Sequence, residues 1–556
     1  MAEHRPAHLI PRLFETPSLG YGPGPFVRDA LAGLTVGVVA LPLAMAFAIA
    51  AGATPDRGLF TAIVAGFLIS ALGGSRYQIG GPTGAFVVII FNVIQRHGYD
   101  GLVLCTILAG LLLVVLGFCR LGALIKYIPH PVTTGFTAGI GVLIFSSQMK
   151  DFFGLRVDAT PPELLDKWAF YLRNADKIDY PTLGIALAAL AAILAVRRFV
   201  PRVPAPVVGV ALASLLAMAL GAGTDTIGSR FGGIPDSLPA FAWPQFSLDQ
   251  VRDLLPDALA IALLAGIESL LSCMVADGMT GDRHNSDMEL IAQGAANIAS
   301  AAFGGIPATG AIARTATNIK SGAFSPVAGM VHAAALLCFV LLLSGLASHI
   351  ALASLAAVLV VVAWDMSEAH KFMRLFRAPK SDVAVMLLTF GVTIVVDLTV
   401  AVLLGVVLAS LLFMRRMSET TGILAVDDGD EGPGFYSAGD GNGDIQTYEI
   451  DGPFFFGVAD RFRTAMNAMQ RQPKAFILRL GKVPVVDSTG LFALETFVRQ
   501  NRGRDTVVLL SGVKPAVLER MRRMGTLDVI GEENVCADYE TALGRALGRA
   551  GGPAAG

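Results

Sequence analysis

The chain reads as an all-α polytopic membrane domain joined to a small C-terminal α/β domain, and three observations predict this. Long apolar stretches without charge fill residues 26–416. One phrase interrupts such a stretch in each half, as Gly81-Pro82-Thr83-Gly84-Ala85 and Gly305-Ile306-Pro307-Ala308-Thr309-Gly310-Ala311. After Arg415-Arg416 the composition turns abruptly polar and then alternates strand-like with helix-like runs.

The membrane class follows from composition: 54% apolar residues, 15% charged and a mean hydropathy of +0.63 over 556 residues are too apolar for a soluble enzyme of this size. Charge-free spans run through Ala30–Pro55, Gly58–Ser75, Tyr77–Gln95, Gly101–Cys119, Tyr127–Met149, Tyr180–Val196 and Val203–Thr224. The second half offers Ala258–Ala276 around Glu268, Leu290–Ala313, a run from Ser321 to Trp364 that has to turn back near Ser344-Gly345, and stretches on either side of Asp397. With about 20 residues per crossing, each half holds roughly seven spans, about fourteen in all.

Basic connections such as Arg197-Arg198, Lys320, His370-Lys371 and Arg415-Arg416 fall on one side of such a bundle and the more acidic loops Asp151–Asp179 and Gly223–Asp253 on the other. The positive-inside tendency then predicts both termini in the cytoplasm. The polar lead before the first span is not a cleavable signal. Five cysteines without CxxC spacing read as small buried hydrophobes, with no disulfide and no metal expected. A net charge of −2 gives no argument for nucleic acid.

The repeated phrase carries the functional reading. Thr309 follows Thr83 by 226 residues, and helices broken at matching places of two repeats expose backbone N–H groups at mid-membrane, where the positive ends of helix dipoles hold an anion. Thr83, Gly84 and Ala85 are expected to begin the first half-helix and Thr309, Gly310 and Ala311 the second. Their threonine hydroxyls are free to donate to an anion or to cap the helices. Arg314, in the second short helix, adds a full positive charge and bidentate donors suited to carboxylates; the plainer alternative is an arginine that snorkels to the cytoplasmic face.

Glu268 has no charged neighbour in its span and, under the repeat offset, lies opposite Pro42. An acid at mid-membrane costs about 2.5–3.5 kcal/mol by insertion scales, so it needs a partner, a cavity or a proton. It is the candidate ion-coupling residue; its structural alternative is an acid bound to a backbone group or to Arg314. Asp277 reads as interfacial, Asp397 has no assigned role, and the lone histidines His130 and His332 read as packed or capping residues.

Beyond the membrane domain, Asp427–Asp444 reads as a flexible linker, and a calcium loop over Asp440–Asp444 fails because Ile445 stands where a glycine is needed. Strands are predicted at Ile445–Ile450, Ala475–Leu480 and Thr506–Ser511, and helices at Ala459–Gln470, Leu491–Gln500, Pro515–Met524 and Asp538–Leu547. Strand and helix in alternation imply a sheet with a parallel part. The expected divisions are 1–25, a transport domain 26–416, a linker 417–444, the α/β domain 445–548 and a tail 549–556.

The residues Gly73-Gly74-Ser75-Arg76-Tyr77 before Gly80-Gly81-Pro82 resemble the sulfate permease (SulP) family of anion transporters. So do Gly266-Ile267-Glu268-Ser269-Leu270-Leu271, Ala276-Asp277-Gly278-Met279, Gly304–Arg314 and Val362–Lys371, which together look like its DauA-type C4-dicarboxylate members. Val486-Asp487-Ser488-Thr489-Gly490-Leu491 resembles the loop of a STAS domain. The resemblance implies a seven-plus-seven inverted repeat split into a moving core and a gate, a homodimer, and Phe86 lining the pocket. It further implies Thr489, beside Ser488, as a phosphorylation target; capping of the following helix explains both hydroxyls without regulation.

The expected function is secondary, proton-coupled uptake of C4-dicarboxylates (succinate, fumarate, aspartate) across a bacterial inner membrane. The alternatives are sulfate transport or bicarbonate transport; the family resemblance implies that the latter is sodium-coupled, with the carboxylate at Glu268 helping to hold the ion. A membrane-anchored STAS sensor or scaffold with a cytoplasmic protein partner and an anion channel are the rival classes. No Walker-type loop, catalytic nucleophile or cofactor motif is visible, so neither ATP-driven transport nor an enzyme is expected.

Overall fold

A computed structural model of the protein describes residues 9–125, 129–157, 160–161, 163–201, 203–221, 223–237, 241, 248–396, 398–420, 422–425, 444–459, 462 and 473–550. They fall into two compact units, Met1–Val407 and Leu408–Gly556.

The first half of the helical unit contains α1 (Pro23–Ala50), α2 (Pro55–Leu72), α3 (Val87–Phe118), α4 (His130–Phe152), α5 (Tyr180–Phe199) and α6 (Ala205–Leu220). The second contains α7 (Leu248–Thr280), α8 (Ser286–Ala302), α9 (Ile312–Lys320), α10 (Val327–Ala347), α11 (Leu352–Ser367), α12 (Lys380–Val395) and α13 (Leu398–Thr420), which runs past the division between units. Two-residue strands, β1 (Gly80–Gly81) and β2 (Thr309–Gly310), precede α3 and α9. Among the described residues, nine helical stretches are long and apolar enough to cross a bilayer, and α6 is a shorter apolar helix.

Local chemistry explains the boundaries. Proline in the first turn starts α1, α2, α4, α5 and α6, where its missing N–H costs nothing. Asp179 caps α5 by accepting from the Thr182 N–H at 3.1 Å; the Thr182 hydroxyl and that N–H hold its carboxyl below the usual range. Gly98, at φ 70° and ψ −175°, breaks α3 into two segments. The order of elements therefore repeats: α1 answers to α7, α2 to α8, β1 with the first segment of α3 to β2 with α9, and the second segment of α3 to α10. The turn expected near Ser344-Gly345 instead falls at residues 348–351. Helix α10 continues to Ala347, and the turn is held where the Ile227 N–H donates to Ile350 O at 3.0 Å and the Leu352 N–H to Asp225 O at 2.9 Å.

Packing sorts the helices into two groups. α1, α2, α3, α7, α8, α9 and α10 pack on one another, and α4, α5, α6, α11 and α12 form the second group, with α1 also touching α11 and α6. Small residues permit the closest crossings. A β-carbon added at Gly294 would lie 2.5 Å from Gly110 O, and one at Gly110 would lie 2.7 Å from Gly294 O, so α3 and α8 meet backbone to backbone. In the second group Arg197 makes a two-pronged ion pair with Asp365, at 3.1 and 2.7 Å. At the amino end of α1, buried Asp29 accepts from the Phe324 and Ser325 N–H groups at 2.6 and 3.1 Å and from the Ser325 hydroxyl at 2.6 Å, tying α1 to the segment before α10.

The second unit holds one five-stranded sheet in the order β3 (Gly422–Ala425), β4 (Ile445–Asp451), β5 (Ala475–Arg479), β6 (Val507–Ser511), β7 (Val535–Cys536). β3 is antiparallel to β4 and the other pairs are parallel. Helices α14 (Ser488–Arg502), α15 (Pro515–Arg523) and α16 (Tyr539–Ala550) cover it. Phe454, Phe462, Phe476 and Phe497 share its buried core. The predicted strands and the last three predicted helices are present. Apart from Ala459 and Phe462, the helix expected at Ala459–Gln470 lies outside the described residues, as do most of the linker, the calcium-like segment up to Asn442-Gly443 and Asp397.

Two readings are corrected here. The stretch read as linker contributes β3, an edge strand that pairs Gly422 with Asp451 and Ala425 with Tyr448, because β4 otherwise has an open edge. Ser488 and Thr489 do not cap α14. Asp487 does, accepting from the Gly490 N–H at 2.7 Å, so both hydroxyls stand exposed in the first turn.

Replacing Gly294 by Leu is expected to force α3 and α8 apart and to cost about 1–3 kcal/mol, read as a lower thermal unfolding midpoint of the purified protein, with an equal loss for Gly110→Leu.

Candidate functional site

Backbone that leaves a helix at membrane depth has to find hydrogen bonds within the protein, and the repeated phrase finds them in its own counterpart. β1 and β2 pair antiparallel, Gly80 with Gly310 and Gly81 with Thr309. The Ala311 N–H adds a bond to Ile79 O at 2.8 Å, and the Ile79 N–H donates to the Thr315 hydroxyl at 3.1 Å. The two short helices therefore start side by side.

The site is built around this crossing. Gly84, Ala85 and Phe86 form a single 3-10 turn leading into α3, all three buried, with Thr83 at the position before it. On the other side, Thr309 and Gly310 belong to the strand and α9 begins only at Ile312, with Ala311 before it. This corrects the expectation that Thr309, Gly310 and Ala311 open the second helix: strand pairing uses their backbone first. Neither threonine caps. The Thr309 hydroxyl donates to Ala265 O of α7 at 2.8 Å, and the Thr83 hydroxyl is buried with no partner.

Arg314 does not snorkel. It is 3% exposed and donates through Nη2 to Pro82 O at 2.7 Å, across the crossing, while its Nη1 has no partner. Among the described residues no carboxylate lies within ion-pair distance of it, Glu268 included. Gly81, at φ 150°, leaves room for the guanidinium: a β-carbon there would lie 2.6 Å from Nη1. A buried cation, an unpaired hydroxyl and the free N–H groups of the first turn of α9 thus meet in one place. His332, also fully buried, is packed against Gly37 of α1 and Gly66 of α2 as expected, with both ring nitrogens unpaired among the described residues.

Glu268 sits half-buried on α7 and makes no hydrogen bond or ion pair among the described residues. It does not take the packing role that was its alternative. Its neighbour Ser269 lies against the crossing, with its Cα 3.1 Å from a β-carbon built on Gly310. A second carboxylate, Glu368, lies within electrostatic reach of Glu268. Glu368 follows α11 in the left-handed conformation, φ 41° and ψ 41°, and pairs with Lys371 at 2.7 Å. Asp277 accepts from the His284 N–H at 3.1 Å and meets its Nδ1 at 2.7 Å, consistent with an interfacial residue.

Sequence reading missed the groups that frame the site. A β-carbon on Gly84 would come within 2.7 Å of Met366 Sδ, 3.1 Å of Ile144 and 3.2 Å of Phe47, so apolar side chains of α11, α4 and α1 roof the first turn. It also missed Gln78 and Glu289. Glu289 stands one residue before a charge-free run and looks like an interfacial charge, yet it is fully buried. The available signal was the polar stripe Glu289, Gln293, Asn297, Ser300, at helical spacing on an otherwise apolar helix.

The model of the Sulfate permease family matches residues 26–389, and that of the STAS domain residues 438–542. The chain belongs to the sulfate permease family. YvdB of Bacillus subtilis (strain 168) is 40% identical over 527 residues, covering 94% of this chain and 98% of that protein. The bicarbonate transporter BicA of Synechocystis sp. is 30% identical over 535 residues, 93% of each chain. Among solved structures, the murine Solute Carrier 26 family member A9 anion transporter superimposes with a TM-score of 0.86 at 18% identity, covering 97% of this chain and 94% of that one, which shows the shared fold. The transmembrane domain of a cyanobacterial BicA matches at a TM-score of 0.61 and 30% identity over 70% of this chain and 98% of its own. The chain is thus a multi-pass membrane protein, and its relatives are transporters rather than enzymes. The relatives matched here are sulfate- and bicarbonate-type proteins; the finer DauA-type likeness rests on the motifs alone.

Gly81→Ala is expected to strain the left-handed backbone and push Arg314 off Pro82, costing about 1–3 kcal/mol. The check is a lower thermal midpoint together with weaker anion binding, whereas Gly98→Ala, strained but far from the guanidinium, lowers only the midpoint.

Proposed function

We propose that the chain is a secondary transporter that carries a small anion between the amino ends of α3 and α9, with Arg314 as its fixed counter-charge. Arg314 is the observation that carries this reading: a guanidinium withdrawn from water, with no acidic partner and an unused donor, calls for a negative ligand. Thr83, Gly84, Ala85, Phe86, Thr309, Gly310 and Ala311 would shape the pocket around it. Thr83 is a direct donor in this scheme and Thr309 a brace to α7. Glu268 is the coupling group, taking up a proton or a sodium ion as the loaded site crosses, because its carboxyl has no resident partner.

Sulfate and bicarbonate are supported by the names of relatives, including sulfate transporter 4.1 of Arabidopsis thaliana, 27% identical over 546 residues, and BicA. The crowded apolar roof over Gly84 also favours a compact anion. C4-dicarboxylates are the second reading, favoured by the motifs around Glu268 and Trp364 and by the bidentate chemistry of Arg314. A homodimer with both termini in the cytoplasm, and exposed Thr489 or Ser488 as a modification point through which a cytoplasmic protein acts on the STAS domain, complete the proposal.

Proteoliposomes loaded with the full chain and offered labelled sulfate, bicarbonate or fumarate, each with and without proton and sodium gradients, test it. Uptake of one anion driven by one cation is expected; currents beyond the reach of alternating access would make it a channel, and no uptake of any anion would leave the scaffold reading. Arg314→Gln should raise KM about tenfold or more, the loss of one charge-assisted hydrogen bond. Glu268→Gln should still exchange substrate but no longer accumulate it against its gradient; accumulation by that variant would overturn the coupling role.

A further inference from the structure

Below the β1–β2 crossing lies a buried polar hub that the transport scheme does not use. Glu289 of α8 is fully buried, and four donors converge on its two oxygens: Gln78 Nε2 at 2.8 Å, Gln293 Nε2 at 3.0 Å, the Ser269 hydroxyl at 3.1 Å and the Gly74 N–H at 2.9 Å. None of them is a cation. Gln78 Nε2 also meets the Ser269 hydroxyl at 2.6 Å, and the Cys273 thiol points at Gln78 Oε1. The hub thus joins three separate pieces of chain: the loop leading into β1, the turn of α7 that carries Glu268, and α8.

Its connection to the site is short. Gln78 precedes Ile79, whose N–H and carbonyl hold Thr315 of α9 and Ala311 just before it. The side chain of Gln78 runs directly under β2, because a β-carbon on Gly310 would sit 2.2 Å from its Nε2. Ser269 follows Glu268 directly in the chain. Whatever fixes Gln78 and Ser269 therefore fixes the crossing relative to the coupling carboxylate.

We propose that Glu289 is a positioning residue for the anion site, acting through Gln78 and Ser269 to hold the β1–β2 crossing in register with the Glu268 turn of α7. This rests on the reading of the crossing as an anion site. Its carboxylate accepts from all three pieces of chain at once. An amide in its place presents N–H donors to donors, a mismatched buried contact that loosens the hub. The residue touches no substrate; it sets where the groups that do so stand.

The test uses the full chain in proteoliposomes and hydrogen–deuterium exchange on the same preparations. Glu289→Gln and Gln78→Glu should each raise KM for the transported anion about tenfold while leaving Vmax within about twofold. Exchange should rise in the peptides spanning Ile79–Ala85 and Thr309–Thr315. The double variant Gln78→Glu/Glu289→Gln restores one donor facing one acceptor and should recover most of the lost affinity and protection. Gln293→Met, which removes a donor to the same carboxylate without touching the crossing, should do neither. If Glu289→Gln does not fold, Ser269→Ala removes the smallest donor and should raise KM about threefold with the same local rise in exchange.

Unchanged KM and unchanged exchange in the folded single variants overturn the proposal, as does a defect that Gln293→Met shares or the double variant fails to repair. A rise in local exchange with no anion transported by the unaltered chain upholds the positioning role and instead overturns the anion reading.

Discussion

Everything distinctive in the helical unit follows from one constraint: backbone unwound at membrane depth cannot turn to water for hydrogen bonds. The chain breaks two helices and then answers the peptide groups of the paired segments from within the protein. β1 and β2 satisfy one another, Thr315 takes the Ile79 N–H, and Arg314 reaches Pro82 O. Ahead of β2, Asn297 bonds both the N–H and the carbonyl of Ala308, while Thr61 and Ser300 bond the two sides of Ile306. Helix α8 is consequently polar along one stripe, which serves the broken segment at one end and the Glu289 hub at the other. The tight α3–α8 crossing at Gly110 and Gly294 brings that stripe within reach.

The same constraint shapes the electrostatics. Among the described residues, the Thr83 hydroxyl and Arg314 Nη1 are left buried without a partner at the crossing, and the His332 ring, Gln293 Oε1, Asn318 Oδ1 and the Tyr171 hydroxyl are left so elsewhere. A buried cation without a resident carboxylate is costly unless a ligand completes it. Glu289, the fully buried acid nearest in the network to the crossing, is engaged by neutral donors only. The positive charge of Arg314 therefore remains uncancelled at the crossing, and the carboxyl of Glu268 remains free of a partner on α7.

Much of the fold was legible because lipid-spanning helices announce themselves by length and charge, and because the repeated phrase marks both breaks. The α/β domain was legible through its alternation of Ile-, Leu- and Val-rich strands with amphipathic helices. What sequence hid was pairing. Thr309 reads as the start of a helix until the partner strand at Gly81 is known. Ser488 and Thr489 read as caps until Asp487 is seen to reach Gly490, and the segment around Gly422 reads as linker because an edge strand of four residues has no period to detect. Glu289 was passed over because a charge beside an apolar run looks interfacial; only three-dimensional contacts with Gln78 and Ser269 reveal its depth.

The antiparallel join of β1 to β2 has one more consequence. The ladder that pairs Gly80 with Gly310 and Gly81 with Thr309 ties the starts of α3 and α9 to one another within one helix group. In the proposed scheme the grip on the anion is therefore set by backbone pairing, and a change of preference would be reached at the lid, where Met366 and Ile144 of the other helix group stand above Gly84.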